Sequence, residues 1–518
     1  MAQISLSRKS PEATRRLWSF VANLTFVLLA IVNSVRLFHH AMWRDELQAF
    51  MLAAASSTPL DLFGNLKYEG HPGLWHLLLW LITRFTSDPV AMQAVHLLIA
   101  LGIWVLIWRV SPFRLFEKLL LLLSYYLFWE YFVVSRNYAL GVLLGFGFVA
   151  VVVFRPKQWL WPWVLLGLLA NTSVFGTIWS LALAALFAVR SREEWRALPG
   201  AAIYVGLTVL AVVTMIPAPD AGFGTSPKIV TTISQAQFKP MLSLDLPLMA
   251  WPVKSAFFPF FSPFVEDADF IGGIMAKLST ILPESPAELS PGLTVLFLVL
   301  PFLVCLSAVQ DRLLVATYAA TVIGILLFIR ICNYEFEPPH HGFLFIALIG
   351  TVWMWRALPG KPTSWVWIGL LAVNALGGLT TLSSELRPYS QSRNTAIWLE
   401  QNHLLDNFLI GSGRASSVAG YLRRPLYYLE CECFGTYAIF TKPRRRLDLE
   451  EFIARVERAL TVEHRDTAIL IVSPKDRFDL AEQQLKPDLV FEPIKRFPNA
   501  IHESETYVIY HAKKQSSN

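Results

Sequence analysis

Hydrophobic positions in this chain fall in long unbroken runs. Leu17–Val35, Val90–Trp108, Phe116–Val134, a run from Tyr138 to Arg155, Leu198–Ile216, Leu293–Val309, Leu313–Ile331, Phe343–Trp355 and Trp365–Leu382 are each bounded by charge or turn residues. Most are near the ~20 residues that carry a helix across a bilayer. Trp159–Val189 is longer and has basic residues at both ends, Lys157 on one side and Arg190, Arg192 and Arg196 on the other. Basic flanks favour the cytoplasmic side, so equal flanks call for an even number of crossings. Two short helices meeting at Asn171-Thr172-Ser173 satisfy that. His71–Phe85 is short and is followed at once by Ser87, Asp88 and Pro89. A crossing there would put Arg109, Arg114 and Lys118 outside, so this run is expected to lie in the outer interface.

The expected fold is a polytopic α-helical membrane protein with about eleven spans. Arg8, Lys9, Arg15 and Arg16 hold the N-terminus in the cytoplasm. Leu17–Val35 lacks a small-residue cleavage site and reads as a retained helix, not a signal peptide. The first outer loop covers 36–89, with interfacial helices, and a long outer loop covers 217–290. That second loop is proline-rich and carries Phe257-Phe258-Pro259-Phe260-Phe261, a pattern suited to an interface.

After residue 382 the pattern changes. Strand-like runs (Phe408–Ile410, Ala468–Val472, Tyr507–Tyr510) alternate with a helical face made by Leu449, Phe452, Ile453, Val456 and Leu460. Residues 1–382 are thus a transmembrane domain and 383–518 an outer α/β domain. Gly411-Ser412-Gly413-Arg414 resembles a phosphate cradle only in part, because it lacks a third glycine.

Composition agrees: 54% of residues are hydrophobic and 16% charged, with 18 Trp and 36 Phe, which excludes an ordinary soluble domain. The net charge of +6 comes from basic loops, and no basic stripe with interleaved aromatics points to nucleic acid. Cys431 and Cys433 sit too close in sequence to pair easily, so no disulfide framework is expected.

Candidate chemistry gathers at outer boundaries. Trp43-Arg44-Asp45-Glu46 follows the first run, and Tyr68-Glu69-Gly70-His71-Pro72 approaches the interfacial one. Ionisable groups at a membrane edge are functional candidates because they are costly there unless wet or paired. Ser135-Arg136-Asn137-Tyr138 opens a later span, and Asn333–Gly342, with His340 and His341, lies at another outer boundary. The acidic cluster Glu266-Asp267-Asp269 reads as a solvated loop face.

Together these motifs resemble the GT-C glycosyltransferases, among them protein O-mannosyltransferases, aminoarabinose transferases of lipid A and mycobacterial mannosyltransferases. The resemblance covers about residues 10 to 385; Gly73 stands where one subgroup has a second proline. It implies sugar transfer from a polyprenyl phosphate to an acceptor hydroxyl (lipid, glycan or protein) on the outer face of a bacterial inner membrane, with inversion. It implies Asp45 as general base, with Glu46 orienting it, binding sugar hydroxyls or serving as the base itself. Arg136 and His341, with His340 and His71, would contact the donor phosphate, His341 slightly ahead of His340. Arg44, Glu69 and Tyr138 would contact substrate. No cofactor is implied; a divalent metal could be held by imidazoles, but no third ligand is fixed. The alternatives are a transporter or flippase of lipid-linked or glycan substrates, and a non-catalytic envelope assembly protein. A transporter would be expected to show an internal repeat and mid-membrane charges, and neither is evident.

Overall fold

The computed structural model describes residues 11–192, 194–221, 245–260, 285–332, 337–382, 387–441, 447–476, 480 and 489–514. Arg8, Lys9, the Glu266-Asp267-Asp269 cluster and Asn333–Phe336 lie outside the described residues.

Six described helices are long and apolar enough to cross a membrane: Arg15–His39, Val90–Val110, Asn137–Phe154, Trp195–Met215, Pro291–Ala308 and Arg312–Ile331. Shorter apolar helices cover Leu74–Thr83, Leu160–Ala170, Val174–Arg190 and Trp365–Thr380. The helix Pro338–Arg356 is buried along nearly its whole length. We label α1 (Pro11–His39) and α2 (Arg44–Ala55). Between α2 and the run at Val90 lie two short helices, Pro59–Leu66 and Leu74–Thr83.

The long run after Lys157 divides at Asn171–Ser173. Asn171 Nδ2 donates to the carbonyls of Gly167 (2.8 Å) and Leu207 (2.7 Å). Ser173 Oγ accepts from the Gly176 amide at 3.0 Å and so caps the next helix. Side chains that bond locally to backbone end one helix and start another.

The Phe116–Val134 run departs from a single span. Its helix stops at Leu123, and a wider π turn follows at Tyr126–Glu130. The residues Tyr125 to Val134 are all buried, so this stretch is packed inside protein. Irregular backbone at membrane depth is tolerated only in such a setting. The break is pinned from the Trp365–Thr380 helix, where a Cβ added at Gly378 would run into the Leu123 carbonyl oxygen. Gly378→Ala is therefore expected to destabilise the protein by about 1–3 kcal/mol, the usual cost of overpacking. Thermal unfolding in detergent checks this.

The C-terminal region carries a six-stranded sheet. Its strands are β1 (Leu409–Gly411), β2 (Leu426–Tyr428), β3 (Cys433–Gly435), β4 (Thr467–Val472), β5 (Leu489–Phe497) and β6 (Tyr507–Lys514), in the order β3-β2-β1-β4-β6-β5. β1 runs parallel to β2 and β4, and the other pairs are antiparallel. The helix Leu449–Val462 buries Phe452, Ile453, Val456, Ala459 and Leu460. The glycine loop after β1 is closed to phosphate: the Gly413 amide donates to Glu430 Oε1 at 2.6 Å, and Arg414 is paired with Asp476 at 2.8 Å. Cys431 and Cys433, expected to remain unpaired, form a disulfide. Glu432 between them takes φ 51°, and this left-handed turn brings their Cα atoms to 5.2 Å, a normal disulfide span.

This sheet domain sits directly on α2. The Met42 amide donates to Tyr421 Oη at 2.7 Å, and Ser392 Oγ to the Met42 carbonyl at 3.2 Å. Gln48 closes a two-way clamp on Ala438, donating to its carbonyl (2.6 Å) and accepting from its amide (2.9 Å).

Candidate active site

α2 begins at Arg44, so Asp45 and Glu46 stand in its first turn, where the helix dipole favours negative charge. Successive helical residues point about 100° apart, and the two acids diverge accordingly. Glu46 turns inward and is fully buried. Its Oε2 accepts from the Trp43 amide (3.1 Å) and meets His40 Nε2 at 2.9 Å, while Oε1 accepts from the Ser135 amide at 2.6 Å. That carboxylate ties the start of α2 to the segment that carries Arg136.

Asp45 turns toward the Ser135–Tyr138 segment, and its side chain keeps 33% of its exposure. Arg136 Nη1 stands 3.6 Å from Asp45 Oδ2 and 3.9 Å from Glu337 Oε2. Arg44 Nε lies 3.6 Å from Asp45 Oδ1. None of these is a tight ion pair, and Arg136 Nη1, although buried, has no hydrogen-bond partner among the described residues. The guanidinium is steered by rings, 5.0 Å from the Tyr138 centroid and 5.9 Å from that of Trp43. Burial works to raise the Asp45 carboxyl, but the Arg136 and Arg44 guanidiniums outweigh it and hold the group below the usual carboxylate range. Asp45 is thus ionised at neutral pH.

The Glu69–His71 segment contributes neutral groups. Burial pushes the Glu69 carboxyl up to about 8, against the opposing hydrogen bond from Gln48 (2.7 Å) and helped by the charge of Asp45. Burial takes the His71 imidazole down to about 4, with Arg136 adding to the effect. At neutral pH the site therefore holds Asp45 as an anion, Glu69 as an acid and His71 as a neutral ring.

His340 and His341 part company. Tyr138 Oη lies 2.7 Å from His340 Nε2, and His340 Nδ1 donates to the Glu337 carbonyl at 3.1 Å. The Tyr138 hydroxyl is then the donor in the first of these contacts. His340 thereby joins the Arg136–Tyr138 group. His341, one position on in the same helix, points elsewhere: it is buried, and neither ring nitrogen has a partner among the described residues. Of the two imidazoles, it is His340 that the structure brings to Arg136.

Two further residues reach the site that the motifs do not mark as site residues. Glu337 approaches the same Arg136 Nη1 that faces Asp45, and it lies within the stretch that contains the two histidines. His502 comes from the sheet domain, its ring 4.5 Å from that of Trp43, next to Arg44 and Asp45. Gln48 had a faint signal, since it stands one helical turn after Asp45. Among the described residues no group of three His, Cys, Asp or Glu side chains is placed to hold a metal ion.

No family model matches the chain, and no curated protein matches it. Two solved structures are similar to it. One is ArnT from Cupriavidus metallidurans in the apo state, 14% identical, covering 95% of this chain and 98% of that one at a TM-score of 0.41. The other is the same protein bound to undecaprenyl phosphate, 14% identical, covering 94% and 97% at a TM-score of 0.36.

Proposed function

We propose that this chain is a membrane glycosyltransferase that moves a sugar from a polyprenyl phosphate to an acceptor hydroxyl, with inversion. The observation that carries the reading is the pairing of an ionised Asp45 with Arg136, whose buried Nη1 meets no hydrogen-bond partner among the described residues. A carboxylate can take the proton of a hydroxyl nucleophile, and a guanidinium can receive the charge gathering on a phosphate leaving group.

In the proposed step the acceptor oxygen attacks the anomeric carbon and its proton passes to an Asp45 oxygen. The carbon–oxygen bond to phosphate breaks, and its electron pair stays on the phosphate oxygen beside Arg136. One displacement from the face opposite the leaving group inverts the anomeric centre. Glu46 braces the site through Trp43, His40 and Ser135. Arg44 and Glu69 meet the sugar or acceptor. Tyr138 and His340 form the phosphate side with Arg136, and His71 stays near it as a neutral donor. His341 would contact the phosphate only if the lipid reached deeper along its helix. The active face is extracytoplasmic, the N-terminus cytoplasmic, and the membrane the bacterial inner membrane. The sheet domain then lies outside and closes the site through Gln48–Ala438 and His502.

The pH profile tests the electrostatics. Glu69 is neutral below about 8 and becomes an anion above it. A second negative charge beside Asp45 and the donor phosphate opposes binding, so activity should fall as pH rises through about 8. Glu69→Gln should move that alkaline limb upward while keeping activity at pH 7. A limb unchanged by the substitution would remove Glu69 from the site.

A further inference from the structure

The Cys431–Cys433 disulfide sits at one edge of the sheet, and both cysteines are exposed. Cys433 is the first of the three residues of β3, the edge strand, and stands opposite Tyr428 of β2. A bridge across one intervening residue closes so small a loop that it restrains the unfolded chain little. What it does fix is Glu432 at φ 51°, a left-handed conformation that side chains other than glycine rarely adopt.

Other contacts secure this turn from behind. Arg455 Nη1 donates to the Leu429 carbonyl at 2.7 Å, and Arg458 Nη1 to Glu432 Oε1 at 2.9 Å. Both arginines stand on the Leu449–Val462 helix, which is anchored by its buried face. β3 is also paired with β2 along its whole length. The bridge can therefore open without the domain unfolding. Exposed bridges of this kind are the exchangeable ones, whereas structural disulfides withstand the glutathione pool.

The next residues along the chain link the bridge to α2. Ala438 comes three residues after the end of β3 at Gly435. Its carbonyl accepts from Gln48 Nε2 at 2.6 Å, and its amide donates to Gln48 Oε1 at 2.9 Å. The same Nε2 donates to Glu69 Oε1 at 2.7 Å. One short strand thus separates an exposed disulfide from a side chain that holds Glu69.

We infer that Cys431 and Cys433 form a thiol–disulfide exchange site, reduced by a dithiol and coupled through β3 and Ala438 to Gln48. A thiolate of the dithiol attacks one bridge sulfur. The S–S bond breaks, and its electron pair leaves on the other cysteine sulfur, which takes up a proton. The second thiol of the reductant, as its thiolate, attacks the mixed disulfide and releases the first cysteine, which is protonated in turn. The protein gains two electrons and two protons, and the dithiol becomes a disulfide. Glu432 is then free to leave the left-handed region, β3 loosens from its first residue, and the clamp on Gln48 loosens with it. This chemistry does not depend on the transferase reading.

The test treats the purified full chain in detergent with millimolar reduced glutathione, two molecules of which perform the exchange of one dithiol. Thiols are then labelled with N-ethylmaleimide and read by peptide mass. Cys431 and Cys433 should be unlabelled before treatment and labelled after it. The buried Cys305 should stay unlabelled throughout, which reports an intact fold. Amide hydrogen exchange is followed on the same samples. Reduction should speed exchange of the Ala438 amide by about fivefold, the size of one lost hydrogen bond, and leave β4 unchanged. The double variant Cys431→Ser/Cys433→Ser should show the fast exchange without glutathione; if it misfolds, reduction of the parent chain still decides. Labelling of Cys431 and Cys433 before treatment, a bridge that yields only when Cys305 is labelled too, or an Ala438 amide that exchanges equally in both states overturns the proposal. Neither readout uses sugar transfer, so a failure of the transferase reading is seen separately.

Discussion

Asp45→Asn is expected to lower sugar transfer by ~10²–10⁴, the range for loss of a general base. The amide keeps the size and shape of the side chain but cannot accept the acceptor proton. Asp45 is not part of the buried bracing, since its side chain is a third exposed and its two cationic neighbours stand at 3.6 Å. Expression, melting temperature and donor binding should therefore stay close to the parent. Removing the negative charge also relieves Arg136 of one counter-charge, so the donor could bind slightly tighter in the variant. Single-turnover rates with saturating donor isolate the chemical step. Near-normal rates would take the role from Asp45. Glu46 could assume it only after giving up its contacts with His40, Trp43 and Ser135.

Arg136→Ala should reduce kcat/KM by an amount equivalent to about 2–4 kcal/mol, the cost of deleting a preorganised donor to a developing oxyanion. Nη1 is buried without a hydrogen bond among the described residues, so the guanidinium loses little on meeting a phosphate oxygen. Truncation has a second effect, because Asp45 loses its largest stabilising charge and its carboxyl should rise toward the ordinary range. The acid limb of the pH profile should then move up with the loss of rate, a shift that simple misfolding would not produce. Arg136→Lys should recover only part of the activity, since an ammonium restores the charge but not the forked geometry. Full recovery by lysine would mean that the phosphate is met by charge alone.

Most helices are legible in the sequence because crossing a bilayer demands long apolar runs, and the charges between the runs leave few arrangements open. The division at Asn171–Ser173 follows from equal basic flanks, and the observed caps stand at those residues. The break after Leu123 is not legible in this way. It depends on Gly378, far away in sequence, offering room to a backbone that a regular helix would not need. The strands around Phe408, Ala468 and Tyr507 and the Leu449–Val462 helix show their periods plainly. The Cys431–Cys433 bridge does not, because it turns on a single left-handed residue between them.

At the site, the sequence brings Asp45 and Arg136 to notice through their short motifs, and the structure sets them side by side. It does not say which of two adjacent acids or two adjacent histidines faces the other element. That choice is a rotation of about 100° on a helix, fixed by packing. Glu337 and His502 show a different limit: each becomes a neighbour of Arg136 or Asp45 only once distant segments meet.

Transfer of a sugar from polyprenyl phosphate by the Asp45–Arg136 pair can be measured directly. The most direct measurement incubates the purified full chain with a panel of polyprenyl-phosphate sugars and a crude envelope acceptor fraction, and follows release of polyprenyl phosphate. Turnover is expected with at least one donor, lowered ~10²–10⁴-fold by Asp45→Asn and sharply reduced by Arg136→Ala. Release that persists unchanged in both variants, with the variants folded, would rule out transfer by this pair.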